Sequence, residues 1–89
     1  MPRVEFTPHL KRHLSVPTVE VQGSTVREAL EVVFAENQML RGYIVDEHGA
    51  LRKHVVVFVD GNAVEDRRGL SDSVEPGAQI FVMQALSGG

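Results

Sequence analysis

The chain has 89 residues, 43% of them apolar and 24% charged, with a net charge of −3 and no cysteine. This length is one domain with a small core, burying about 60–65% of its unfolded surface. It has no disulfide, thiolate nucleophile or cysteine-held metal, and its negative charge argues against general binding to phosphate backbones.

The opening residues, Met1-Pro2-Arg3-Val4-Glu5, lack the apolar stretch of a signal peptide, and the longest purely apolar run, Val55–Val59, is too short to cross a bilayer. The expectation is a cytoplasmic protein, monomeric when free, that engages neither membrane nor nucleic acid. The basic pairs Lys11-Arg12, Arg52-Lys53 and Arg67-Arg68 read as solvated surface or local partner contacts.

Arg3-Val4-Glu5-Phe6-Thr7 alternates polar and apolar, the period-2 pattern of a half-buried strand, and Pro8 ends it. Residues 9–16 read as a connecting loop. Thr18-Val19-Glu20-Val21-Gln22 alternates again up to Gly23, so the two strands predict an N-terminal hairpin. Thr25-Val26-Arg27-Glu28 then has capping-box spacing: the threonine hydroxyl accepts a free backbone N–H, and Glu28 reaches back to the cap. Val26, Ala29, Leu30, Val33 and Phe34 fall on one helical face, with Arg27, Glu28, Glu31 and Glu36 left for the wet side. This spacing predicts a helix over 25–36.

Met39-Leu40 is expected to tuck under the sheet and Tyr43-Ile44-Val45 to form a short strand. Asp46-Glu47-His48-Gly49 has turn chemistry. His54-Val55-Val56-Val57-Phe58-Val59 is β-branched and apolar on both faces, as a central strand is. Asp60-Gly61-Asn62 turns the chain, and residues 63–73 are polar and basic apart from Leu70. Glu75-Pro76-Gly77 makes a further turn before a last strand, Gln79-Ile80-Phe81-Val82-Met83. The order ββαβ(β)β is of the α+β class, with one main helix packed on one face of a mixed sheet of four or five strands. A β-grasp (ubiquitin-like) fold is its most economical form at this length. The domain is expected to occupy 1–84, and 85–89 to form a flexible tail.

Candidate catalytic sets are weak. His9 and His13 have the i, i+4 spacing of two zinc ligands on a helix, but they sit in loop sequence without an evident third ligand and read as surface histidines. His48, in a turn, and His54, at a strand start, have no nearby nucleophile to activate. Asp46, Glu47 and Asp60 are turn residues, and Gly61 and Gly77 lack phosphate-loop spacing. An enzyme is therefore a poor reading.

The chemically telling segment is Ala85-Leu86-Ser87-Gly88-Gly89. At ordinary glycine usage, two terminal glycines arise by chance in roughly one chain in 200, so a frayed terminus is the bland alternative. Glycines lack a Cβ and tolerate every backbone region. They suit a tail that threads a narrow channel so that its carboxylate can meet ATP and become an acyl-adenylate. In the last strand, if Ile80 and Val82 face the helix, Phe81 and Met83 face away. With Phe58 or Val56 they form an apolar patch on the uncovered face, read as partner-docking surface.

These features resemble the MoaD/ThiS family of sulfur-carrier proteins over nearly the whole chain. Leu51-Arg52-Lys53-His54-Val55-Val56-Val57-Phe58-Val59-Asp60, then Gly69-Leu70 and the final Gly88-Gly89, are most similar to the branch that carries sulfur for cysteine synthesis. The resemblance implies that an E1-like enzyme of the MoeB/ThiF type adenylates Gly89, with Gly88 and Ser87 threading its channel. Sulfur transfer then gives a C-terminal thiocarboxylate for a downstream sulfur-accepting synthase. ATP is used by the partner; the carrier binds no cofactor or metal and supplies no catalytic side chain. Two other readings stay open at this level: a protein modifier joined to lysines through Gly89, and a passive β-grasp interaction module.

Overall fold

Short alternating strands around one amphipathic helix define the architecture of the computed structural model, which describes residues 1–6 and 18–84. The loop at 9–16, with His9 and His13, and the tail at 85–89 lie outside the described residues. Strands β1 (Arg3–Phe6) and β2 (Thr18–Glu20) form the expected antiparallel hairpin, in the register Val4↔Val19. Helices α1 (Val26–Glu36) and α2 (Gln38–Ile44) follow, then β3 (Val55–Val59), β4 (Asn62–Ala63) and β5 (Gln79–Gln84). The five strands form one sheet in the order β2-β1-β5-β3-β4. β1 and β5 pair in parallel and the other neighbours antiparallel, so the sheet is mixed. The middle strand is β5. The Val-rich β3, expected at the centre, has β5 on one side and only the two-residue β4 on the other.

Alternation sends Val4, Phe6, Val55, Val57, Ile80 and Val82 to one face, where all are fully buried. They share one core cluster with Val26, Ala29, Leu30, Val33 and Phe34, the predicted face of α1. Thr25 caps α1 in an extended conformation, its Oγ1 accepting the Glu28 N–H at 3.2 Å. The return contact is displaced by one residue: Glu28 Oε1 accepts from the Ser24 N–H at 2.8 Å and the Ser24 hydroxyl at 3.0 Å. The displacement accompanies a strand-like bridge between Thr25 and Ser73, in which the Val74 N–H binds the Ser24 carbonyl at 2.9 Å. The bridge holds the entering chain, and Ser24 presents its donors to the carboxylate.

The short strand expected at Tyr43-Ile44-Val45 is instead helical: α2 is a second, shorter helix among the described residues, beside the main helix α1. Leu40 and Ile44, four residues apart, are both fully buried, and that helical spacing gives α2 its hold on the core. Met39 does not tuck under the sheet with Leu40. Adjacent helical residues point about 100° apart, and Met39 is 75% exposed. Only Val45 is strand-like, in an isolated bridge to Leu51. Arg52 caps the end of α2: its Nε donates to the Gly42 carbonyl at 2.7 Å and its backbone N–H to the Ile44 carbonyl at 3.0 Å.

Arginines expected at the wet surface are tied to backbone carbonyls. Arg27 is half-buried and donates from Nε to Gly69 (2.8 Å) and from Nη2 to Gly49 (2.7 Å) and Arg68 (3.0 Å). Arg67 Nη2 donates to the Arg52 carbonyl at 2.8 Å. The polar segment after β4 is organised around Asp66. Its carboxylate accepts from the Ser71 hydroxyl (2.6 Å) and from the backbone N–H groups of Gly69 (2.8 Å), Ser71 and Arg68 (both 3.2 Å). These donors, the Ser71 hydroxyl foremost, hold its carboxyl down to about 2. Leu70 is thereby held at φ 54°, a costly conformation for a branched side chain, with that side chain buried in the core.

Candidate functional site: the open sheet face and the root of the tail

The face of β3 and β5 opposite the helices carries Val56, Phe58, Phe81 and Met83. Antiparallel register pairs Phe58 with Phe81 and Val56 with Met83, so the four form a two-by-two apolar block. All four are half-buried, and none belongs to the core cluster that both helices join. The sequence left Phe58 and Val56 as alternatives, but i, i+2 alternation places both on this face. The block is hydrophobic on one side and rigid behind, because the intervening Val55, Val57, Ile80 and Val82 are locked in the core.

The same face turns polar across β1 and β2. Glu5 is the register partner of Phe81, and Gln79 Nε2 donates to Glu5 Oε1 at 3.2 Å. Arg3 and Glu20 pair at 3.9 Å with both side chains exposed, an arrangement that contributes at most about 1 kcal/mol. The face is thus divided into an apolar half and a charged half along the β1–β5 seam. The apolar half runs up β5 toward Gln84, which pairs with Val55 and ends the strand. Ser87, Gly88 and Gly89 lie beyond it, outside the described residues.

The other sequence candidates do not assemble. His48 Nε2 lies 3.7 Å from Glu47 Oε1, with both side chains strongly exposed. Asp46 Oδ1 accepts the N–H groups of His48 (2.8 Å) and Ala50 (3.1 Å), closing the predicted turn and lowering its carboxyl, the His48 bond most of all. Asp60 and Gly61, at φ 49° and 87°, form the two-residue turn of the β3–β4 hairpin, where Gly61 supplies the second left-handed position. Asp60 Oδ1 also accepts the Gln79 N–H at 3.0 Å. Among the described residues no group of three His, Cys, Asp or Glu side chains is placed to hold a metal ion. No described helix is long and apolar enough to cross a membrane.

Comparison with solved structures places this geometry among ubiquitin-like folds. A chain in the crystal structure of the Amycolatopsis orientalis BexX/CysO complex superposes with a TM-score of 0.86 at 26% identity, covering 100% of each chain. SAMP1 from Haloferax volcanii gives 0.80 at 23% identity, covering 99% of this chain and 98% of its own. Mycobacterium tuberculosis CysO gives 0.82 at 19%, covering 97% of this chain and 100% of its own. No curated protein sequence matches the chain. The ThiS family pattern matches residues 7–89, nearly the whole length, and the chain accordingly belongs to the ThiS family, as a sulfur carrier and not a catalyst.

Proposed function

We infer that this carrier holds sulfur as a thiocarboxylate on Gly89, after an E1-like enzyme has docked on the open sheet face and adenylated that glycine with ATP. The observation that carries the reading is the apolar block of Val56, Phe58, Phe81 and Met83, which leads along β5 to Gln84 and hence to the segment 85–89. A partner seated there grips the rigid sheet and receives the tail at one edge of the contact. Phe58, Phe81 and Met83 are the docking residues in this reading, Ser87 and Gly88 thread the channel, and Gly89 is the reacting group. The carboxylate attacks the α-phosphorus of ATP, pyrophosphate leaves, and a sulfur nucleophile then displaces AMP from the acyl carbon. In this reading the carrier contributes position, and the partner supplies the acid and base.

The downstream acceptor is a sulfur-accepting synthase. The resemblance to the cysteine-synthesis branch and two neighbours bearing the name CysO favour cysteine over molybdopterin, thiamine or a related product. A second reading is favoured by a neighbour named as a small archaeal modifier protein: the same activated glycine joined to a protein lysine. Mass spectrometry of the chain from its native cells tests both. Replacement of one terminal oxygen by sulfur adds about 16 Da, whereas conjugates appear as high-mass species. Gly88→Val adds a stiff, branched side chain where a channel must close, and is expected to abolish ATP–pyrophosphate exchange while the fold persists. Unchanged exchange in that variant means the tail is not threaded.

A further inference from the structure

Four of the chain's nine lysines and arginines, Arg52, Lys53, Arg67 and Arg68, come from two segments that the fold lays side by side. The Leu51 N–H donates to the Arg67 carbonyl at 2.9 Å, and Arg67 Nη2 returns to the Arg52 carbonyl at 2.8 Å. That carbonyl also accepts the Val55 N–H at 3.0 Å, which fixes the pair of segments to the start of β3. Arg52, Lys53 and Arg68 are exposed, and Arg67 is half-buried.

The cluster is not neutralised from within. Among the described residues, arginine ion pairs form at Arg3–Glu20, Arg27–Glu31 and Arg41–Glu31, and these leave all four cations out. The carboxylates of the neighbouring loops are committed elsewhere: Asp46, Asp66 and Asp72 each accept backbone N–H groups in place of guanidinium or ammonium donors. A chain with a net charge of −3 thus gathers unpaired positive charge at one place, which favours an anionic surface opposite it.

We propose that this cluster is a basic rim of the docking surface and meets carboxylates of the adenylating enzyme. The inference rests on the reading of the open sheet face as that docking surface, and adds the charge of the partner. Lys53 precedes Val56 of the apolar block by three residues, so their Cα atoms lie within about 11 Å. A standard interface covers about 800 Å² of each partner, with an apolar centre and a polar rim, and so spans both features. On the far side of the block, across β1 and β2, Arg3 is already balanced by Glu20. The positive excess therefore marks one end of the block, the end at Val56 and Met83. Rim charges act mainly on the rate of encounter, so the cluster steers an acidic partner onto that end.

Stopped-flow association with the MoeB/ThiF-type adenylating enzyme from the same cells tests the proposal. The Lys53 and Arg68 side chains hold no other described residue by a hydrogen bond, so Lys53→Glu and Arg68→Glu should melt as the parent does. Each is expected to lower kon about threefold at low salt, and the pair together about tenfold, with koff little changed. The difference should vanish near 1 M salt, where screening acts within about 3 Å. If either glutamate variant melts early, Lys53→Gln and Arg68→Gln remove the charge without reversing it and should show a smaller slowing of the same kind. Arg3→Glu makes the same change in net charge away from the cluster and should leave kon within about twofold. Equal slowing by Arg3→Glu assigns the effect to net charge and overturns the proposal, as does a parent rate that ignores salt. Parent-like rates in both cluster variants overturn it too. If Met83→Asp then still loses binding, the sheet face remains the docking surface without a basic rim, whereas parent-like binding by all three removes the docking reading itself.

Discussion

The two faces of the β3–β5 pair are built from the same two strands and nearly the same residue types, yet they do opposite things. Inward, Val55, Val57, Ile80 and Val82 are fully buried beneath the helices. Outward, Val56, Phe58, Phe81 and Met83 keep part of their surface in water. Hydrophobicity does not separate the sets, since the outer one holds both aromatic rings. What separates them is that α1 and α2 cover one set, while no described helix covers the other. An apolar face of this kind costs solubility, and the docking partner proposed above would cover it.

The largest effect that tests this comparison is Val82→Asp. A carboxylate forced into the core without a partner costs several kcal/mol, enough to unfold a domain of marginal stability. Circular dichroism should show no cooperative melt. Met83→Asp, one residue further along, is expected to change stability by about 1 kcal/mol or less. Its effect should appear as lost calorimetric binding to the activating enzyme, where the charge would be buried unpaired. If Met83→Asp melts the protein while Val82→Asp does not, the two faces have been exchanged. Normal binding by a folded Met83→Asp variant would move the docking site elsewhere.

Smaller changes grade the covered side. Leu30→Ala empties the centre of the α1 face and is expected to cost about 2–4 kcal/mol in denaturant melts. Thr25→Ala removes one cap bond and should cost about 1 kcal/mol. Equal losses would mean that helix burial contributes less to the covered face than its packing implies. The smallest effect concerns Asp66. Its carboxyl is depressed from 3.8 to about 2 in the fold, so its contribution is fully present above the unfolded value near 4. It is lost as pH falls through about 2. Thermal melts between pH 5 and 2 should therefore fall less steeply for Asp66→Asn than for the parent chain.

The elements legible in the sequence were those whose signal is local. The capping threonine, the spacing of Val26, Ala29, Leu30, Val33 and Phe34, and the turns at Asp60-Gly61 and Pro76-Gly77 each specify a backbone state within a few residues. The alternation of Ile80, Phe81, Val82 and Met83 likewise set the outer face. The α2 segment was misread because Tyr43-Ile44-Val45 has β-type side chains, whereas its helical signal is only the Leu40–Ile44 pair and the caps come from distant Arg52. The roles of Arg27 and Asp66 were hidden for a related reason. Arg27 binds carbonyls at Gly49, Arg68 and Gly69, and no pattern near residue 27 announces them. The pairing of Phe58 with Phe81 needed the register, which only the assembled sheet supplies. For Ser87, Gly88 and Gly89, the sequence motif remains the basis of the assignment.

The parallel contact between β1 and β5 has a consequence for synthesis. It joins the earliest strand to the latest, Arg3 beside Gln79, so one edge of β1 has no strand to pair with until β5 has been made. Such a long closure is slow relative to local helix and hairpin formation. The apolar block proposed for docking is completed by that same final strand, immediately before residues 85–89. A misfolded or truncated chain thus has no assembled block beside its end. Docking of the activating enzyme on that block, as proposed above, would then double as proofreading of the fold, and destabilised variants should be activated in proportion to the fraction folded.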